Sequence, residues 1–570
     1  MPLPQSAPTL STLPVEILYQ ILIYLDIETI LLSVRYVAKT FYLISNSFNH
    51  YHIDFSALSK RNFDIICRLI YPENIVSIIL SNEDTTPGQI DLFLTRFRVH
   101  YFPHLRSLTF RSIDWADLHG ILTDILPCSL ISFSIHSQGK QNKSTLCLLS
   151  QRLNQSNLQS FSLNTHAHQI EGIFKNISES SLTHLTVGII TFNEYQIILR
   201  YCPQLRILTM DDCWISDTDR CFPTKSYRQL TSLTLQDTNR SIEQLEHFLS
   251  LSPSIIELKI INSLSTPNSL IDGSKWTMLI KTTLLSLRLF HFVFYQVHLR
   301  IYQCNADVEV LIQPFRSSFW LEDKQWFVKC QSIKSLHKVK LFTVPFPSSS
   351  CEYNYDPDPI LLSTTPRKFN HSSIMKHVRC LSINLSEIKT KPNLRKEDFF
   401  FANVIELKLS IRGEWPADSI HFISMLINVS QLQNLSFQSD FNQKTAANVV
   451  DSLTKFIQRI SHLRSLSVLP LDVNGQYHVD MANLSSIVPL SVEHLTLKIE
   501  KLEHMTLLIK NLDHLSSVSF NYPHDRKITS DEMIGWLSNS RRDFSHLERE
   551  YSLHFWFSHH QRSHFGNPDH

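Results

Sequence analysis

The sequence predicts an α/β fold: a curved parallel sheet with helices outside, wound as a solenoid and preceded by a small all-α module. Three observations predict it. A short phrase recurs along the chain, helical spacing returns between its copies, and a purely helical pattern occupies the start. The phrase appears as HLRSLTF at 104–110, QLRILTM at 204–210, QLTSLTL at 229–235, HLRSLSV at 462–468 and SVEHLTL at 491–497. It reads Leu-x-x-Leu-x-Leu, with Ile, Val or Phe standing in. Its last two apolar residues lie two apart, so a strand points both to one side. So short a strand cannot bury that side alone, whereas copies stacked on one another can.

In chain order, residues 1–10 read as disordered. The opening run MPLPQSAPTLSTLP has no basic residue and no apolar core, so it does not read as a secretory signal. Residues 11–56 read as three short helices. Pro14 suits a first helical turn, and Glu16 places a negative charge at the positive helix end. Ile17, Leu18, Ile21, Leu22 and Leu25 follow at helical spacing. Asp26 restarts the pattern as a cap, before a second stripe at Ile30, Leu31 and Val34 and a third at Val37, Phe41 and Ile44. Three helices in so few residues make too small a core to stand alone. Residues 57–74 read as a linker.

The run Leu13-Pro14-Val15-Glu16-Ile17-Leu18, then Leu25, then Val37-Ala38-Lys39-Thr40-Phe41, resembles an F-box, with Phe41 where Trp is more usual. That family docks on the Skp adaptor of a cullin–RING ubiquitin ligase. By the resemblance, Leu13, Pro14, Ile17, Leu18, Leu25 and Val37 are the adaptor-docking residues. The other reading of the segment is a helical cap on the open end of the array, which solenoids need.

The array is expected over residues 75–557. The middle apolar residue of each phrase gives a series of markers: Ile78, Leu108, Phe133, Phe161, Leu185, Leu208, Leu233, Leu258 and Leu287, then Leu311, Val339, Leu381, Leu407, Leu435, Leu466, Leu495 and Val518. Most intervals run from 23 to 31 residues. Between them, SIEQLEHFLSL at 241–251 places Ile242, Leu245, Phe248 and Leu249 on one helical face. Helices are expected to end before the prolines at 103, 203 and 253, because proline disfavours helix for its predecessor. The segment 342–375 is rich in Pro, Ser, Asp and Tyr and reads as a tolerated loop insertion. Residues 558–570 read as a disordered tail. The repeats resemble the leucine-rich family, and Leu205, Leu208, Met210 and Cys213 resemble its cysteine-containing type.

Composition narrows the function. Lys and Arg total 53 against 52 Asp and Glu, so no net charge draws the chain to nucleic acid or a membrane. Only 10 glycines argue against phosphate-cradling loops. The 10 cysteines are scattered without a Cys-x-x-Cys pair, so no zinc site or disulfide framework is expected, and a reduced cytoplasmic or nuclear setting fits. No catalytic signature occurs, and no enzyme activity, cofactor or metal is expected. On the strand face away from the core, the column between the last two apolar positions is mostly Ser and Thr. Its cations are Lys259, Arg288, Lys340 and Lys408. Thr suits pleated strands, which accounts for much of this pattern. The same surface would accept an acidic partner, with these four cations as partner-binding residues. The reading that follows is a substrate-recognition adaptor of a Skp–cullin–F-box ligase, holding an unknown target protein on the concave face. The alternative is a leucine-rich repeat interaction scaffold without a ligase role.

Overall fold

The computed structural model describes residues 10, 13–124, 130–138, 142–154, 157–164, 171–174, 180–214, 226–297, 304–333, 336–356, 359–366, 373–388, 400–440, 446–471, 485–499, 501–522, 530–539 and 543–558. The expected disordered ends fall almost wholly outside these residues. The described chain is a mixed α/β structure with two large, mostly parallel sheets and helices in the connections. Among the described residues no strand order closes into a barrel.

The first helices are α1 (Val15–Leu22), α2 (Ile27–Leu32) and α3 (Lys39–Ser47). Asp26 caps α2 as expected, accepting from the Thr29 amide at 2.6 Å. Leu18, Leu22, Ile27, Ile30, Leu31, Ile44 and Phe48 are buried, and their core runs without a break into the first strands. The expected linker at 57–74 is instead mostly helical: α4 (Lys60–Leu69) buries Phe63, Ile66 and Cys67. Ser59 caps it by accepting from the Asn62 amide. The expected boundary at 56 also fails, because the first strand already lies at 51–54. The short apolar run Phe63, Ile66, Cys67 carried the helical period but was too brief to stand out.

The first sheet opens with β1 (Tyr51–Asp54), β2 (Ile75–Ser81), β3 (Ser107–Asp114), β4 (Ser132–Gln138), β5 (Ser160–Asn164) and β6 (His184–Val187). It continues through β8 (Ile207–Met210), β10 (Ser232–Gln236), β11 (Glu257–Ser265) and β12 (Leu289–Val297). Two short strands, β7 (Ile190–Thr191) and β9 (Cys213–Trp214), pair only with each other. Every neighbour up to β12 is parallel, in chain order. The markers form one ladder: Ile78 opposes Leu108, then Phe133, Phe161, Leu185, Leu208, Leu233 and Leu258 in turn. All of them are buried. At β12 the register places Phe290, not Leu287, opposite Leu258.

Most of the parallel strands start on a shared acceptor. The Arg206 carbonyl takes the Thr231 and Ser232 amides at 2.9 Å each, and the Thr231 carbonyl takes those of Ile256 and Glu257. The same pair of bonds recurs at most strand starts of both sheets, with Arg379, Ile405, Gln433 and Arg464 carrying it in the second. The connecting helices end at the expected places, as Phe192–Tyr201 and Ile242–Ser250 show. Both have complete capping boxes, Thr191 with Glu194 and Ser241 with Gln244.

The expected uninterrupted array breaks after β12. Leu311 lies in the helix Cys304–Ile312, not in a strand. β13 (Val328–Ile333) and β14 (Lys338–Thr343) form an antiparallel hairpin, and β14 pairs antiparallel with β12. Nor is 342–375 a loop. It contains β15 (Ser350–Tyr353), which opens the second sheet, and β16 (Ile360–Ser363), which closes the edge of the first. Tyr353, Tyr355 and Phe346 are buried there, so these aromatics serve packing.

The second sheet runs from β15 through β17 (Cys380–Asn384), β18 (Glu406–Ile411), β19 (Asn434–Ser439), β20 (Ser465–Pro470), β21 (His494–Lys498) and β22 (Ser517–Asn521), all parallel. The ladder resumes: Cys351, Leu381, Leu407, Leu435, Leu466, Leu495 and Val518 oppose one another in order. β23 (Phe544–Arg549) and β24 (Ser552–Phe557) end it as an antiparallel hairpin.

The two sheets touch at both ends. Val293, Tyr295 and Phe342 of the first sheet belong to the second core. Conversely, Trp556 of β24 belongs to the first core, with its ring 5.3 Å from that of Phe63 on α4. Around this contact the buried Lys60 ammonium bonds Asp543 at 2.6 Å and Asp64 at 3.3 Å. Arg549 bonds Asp84 at 2.8 Å and the Asn82 carbonyl at 2.9 Å. Gly88, at φ 74°, lies where a Cβ would come 3.3 Å from the His546 carbonyl. The chain therefore closes on itself through side chains.

Burial works to raise the Asp543 carboxyl, but the Lys60 hydrogen bond and charge outweigh it and hold it below the ordinary value. A depressed carboxyl stabilises the fold above its unfolded value and loses that contribution as pH falls through its folded value. The Asp543 side chain is two-thirds exposed and Lys60 keeps Asp64, so Asp543→Asn is expected to destabilise the protein by only about 0.5–1 kcal/mol at neutral pH, and by less in acid. Leu208→Ala and Leu495→Ala are expected to cost about 2–5 kcal/mol each. Urea unfolding measured across pH checks all three.

Candidate functional site

Two surfaces carry the candidate residues. The first is the outer face of the N-terminal helices. α1 is apolar nearly all round, VEILYQIL. Its inner side, Leu18 and Leu22, is buried, while Ile17 and Ile21 on the other side stay exposed. Four of the six expected docking residues face solvent: Leu13, Pro14, Ile17 and, at 71% exposure, Val37. Leu25 is half-buried. Leu18, at 2%, fills the module's own core and is removed from the docking set. Val37 does not join the third helix; it follows the short turn Val34–Tyr36 and points outward.

Sequence reasoning missed other apolar side chains left in solvent: Tyr24, Tyr36, Tyr42, Leu43 and Ile23. The signal was available, because the segment holds more apolar residues than one inward stripe can use. Arg35 stiffens this face from beneath. It is 7% exposed, and its guanidinium sits 4.7 Å over the Tyr42 ring.

The second surface is the sheet face turned away from the cores. Its central column runs Thr109, Ser134, Ser162, Thr186, Thr209, Thr234, Lys259 along the first sheet, as expected. The next position is His291, because the register at β12 differs from expectation. Arg288 lies just before that strand, exposed, and donates its amide to the shared Ile256 carbonyl. In the second sheet the column runs Glu352, Ser382, Lys408, Ser436, Ser467, Thr496, Ser519. It therefore contains an acid, which the sequence reading lacked. Lys408 is exposed and bonds Glu406 at 3.2 Å. A recess of about 180 Å³ opens here, lined by Glu352, Ser382, Asn384, Lys408, Ser410 and Ser436 among others.

Lys340 is the clear correction. It is 3% exposed, with its ammonium 3.2 Å from the Cys351 sulfur and 4.6 Å over the Phe346 ring. The expectation assumed a parallel strand with one wet side. β14 is antiparallel, and β15 of the second sheet covers its outward side. Burial works to lower the Lys340 ammonium, but Cys351 and Tyr295 beside it outweigh burial and hold it above the ordinary lysine value. Lys340 binds the two sheets together and is not available to a partner.

Among the described residues no three or more His, Cys, Asp or Glu side chains converge as a metal site would require. Among the same residues no helix is long and apolar enough to cross a membrane. No protein-family model matches the chain, and no curated protein matches it.

Amine acetylation of the native protein, read by peptide mass spectrometry, checks these placements. Lys408 is expected to react readily and Lys259 more slowly, whereas Lys340 and Lys60 react only after unfolding.

Proposed function

We propose that this protein is the substrate-recognition subunit of a Skp–cullin–F-box ubiquitin ligase, with leucine-rich repeats that hold the target. The observation that carries the proposal is the outer face of the N-terminal helices. There Leu13, Pro14, Ile17 and Val37 stay in solvent while Leu18, Leu22, Ile27, Ile30 and Leu31 form the buried core of the same helices. An apolar face that its own fold does not need is a protein-docking surface. The resemblance of Leu13 to Phe41 to an F-box identifies the occupant as the Skp adaptor. The repeat reading is supported by the unbroken parallel order, the in-register Leu column and the helix after each of many strands.

On this reading the protein does no chemistry. It holds a target near the ligase and so raises the effective concentration of the target's lysines. The sheet face bearing the Ser and Thr column is a polar surface on which to hold it.

One observation favours the scaffold reading. The N-terminal helices share their core with β1 and β2, and α4 meets the last strand through Phe63 and Trp556. A module so placed also caps the array. The two roles use opposite faces of the same helices, so one substitution set separates them.

Ile17→Asp with Val37→Asp is expected to abolish capture of the Skp adaptor from a reconstituted mixture while leaving the thermal midpoint nearly unchanged. Leu18→Ala is expected to lower the midpoint, costing about 2–5 kcal/mol. If the wild-type chain fails to bind purified adaptor, the scaffold reading replaces the ligase one.

A further inference from the structure

The join between the two sheets gathers positive charge on the polar sheet face. Lys259 and His291 sit side by side on β11 and β12, directly opposed in the ladder. Adjacent strands lie about 4.8 Å apart, so the two side chains share one small area. β14 pairs only with residues from Val293 onward, which leaves residues 289–292 of β12 outside that pairing, and the charge of His377 reaches His291 there. The turn at 373–377 is tied to the segment that follows β14: the Ile374 carbonyl accepts from the Phe346 amide at 2.8 Å, and Ile374 and Met375 belong to the same core as Val293 and Tyr295. The turn then presents Lys376, His377 and Arg379, all exposed.

The charges around the two imidazoles are unequal. Burial, first, holds His291 below its ordinary value; Lys259 and His377 add to this, and Glu257 opposes it. His377 is exposed, and the little burial it has, together with Lys376 and Lys259 beside it, holds it below its ordinary value. Glu257 is engaged in part by the Ser232 hydroxyl at 3.2 Å. The imidazole Nδ1 of His291 is buried and has no hydrogen-bond partner among the described residues.

We propose that this join is a binding site for an acidic peptide segment, with Lys259, His291, Lys376 and His377 receiving its carboxylates. It rests on the reading above only in taking that segment to belong to the captured protein. The site is two strands and one turn wide, which suits an extended peptide. The chain's near-neutral balance, 53 basic against 52 acidic residues, offers no broad basic track for a nucleic acid. The hydroxyl column continues on both sides, with Thr209 and Thr234 before the cluster and Ser382 and Ser436 in the recess after it. These hydroxyls supply neutral hydrogen bonds along a peptide backbone.

A bound carboxylate favours the protonated imidazole, so binding takes up protons. Affinity therefore rises as pH falls through the imidazole range. The test uses the full-length protein and a fluorescein-labelled peptide of alternating Glu and Ser, read by anisotropy, with a Gln–Ser peptide as control. The Glu peptide is expected to bind and the Gln peptide not to bind. Binding should weaken with salt and tighten from about pH 8 to about pH 6. The triple variant Lys259→Ser, Lys376→Ser, His377→Ser should bind roughly tenfold more weakly or worse. His291→Gln with His377→Gln should flatten the pH response. Equal binding of the Gln peptide, an unchanged triple variant, or binding confined to a phosphoserine peptide overturns the proposal. Adaptor capture by the triple variant should be unaltered. If the wild-type protein captures the adaptor but does not bind the Glu peptide, this site alone is refuted, whereas failed adaptor capture by a wild-type protein that binds the Glu peptide refutes only the ligase reading.

Discussion

A parallel strand of four to six residues with one apolar side is unstable until another such strand lies on each edge. That constraint organises the molecule. It fixes register, because a slip of one residue would turn every marker into solvent. Hence Leu208 opposes Leu233 and Leu466 opposes Leu495 without a break in either sheet's parallel run. The shared carbonyls at the strand starts serve the same end. At most of the parallel strand starts two amides fall on one acceptor, which ties each unit to the last.

Stacking solves burial for every strand but the outermost. Exposed edges invite pairing with other chains. Here the two stacks exchange side chains at both meeting points: Trp556 enters the first core, and Val293, Tyr295 and Phe342 enter the second. The antiparallel hairpins β13–β14 and β23–β24 turn the last strands of each run back on themselves. Placing Lys340 and Lys60 under these contacts is costly in principle, since a buried ammonium needs partners. Cys351 with aromatic rings meets the need at one join, and Asp543 with Asp64 at the other.

The repeating part of this plan was legible in the sequence, because periodicity is a local property. The marker column, the Asp26 cap and the helix ends before proline all follow from neighbours a few residues away. What the sequence hid depends on contacts far along the chain. Lys340 reads as a wet strand residue until β15 is known to cover it. Residues 350–353 read as loop because Ser-Cys-Glu-Tyr has only one marker, Cys351, and that residue is not a leucine. Of the candidate sites, the outward N-terminal face was legible from its surplus of apolar residues. The basic join was not, since its halves lie more than a hundred residues apart, at Lys259 and His377.

The closure between α4 and the last hairpin also has a consequence for synthesis. The ribosome releases residues 60–69 long before it makes 543–557. Until then the Lys60 ammonium lacks Asp543, and the Phe63 ring lacks Trp556. The unit made first is thus the one completed last. Nascent or prematurely terminated chains would leave that apolar seam open, marked for chaperones and proteases.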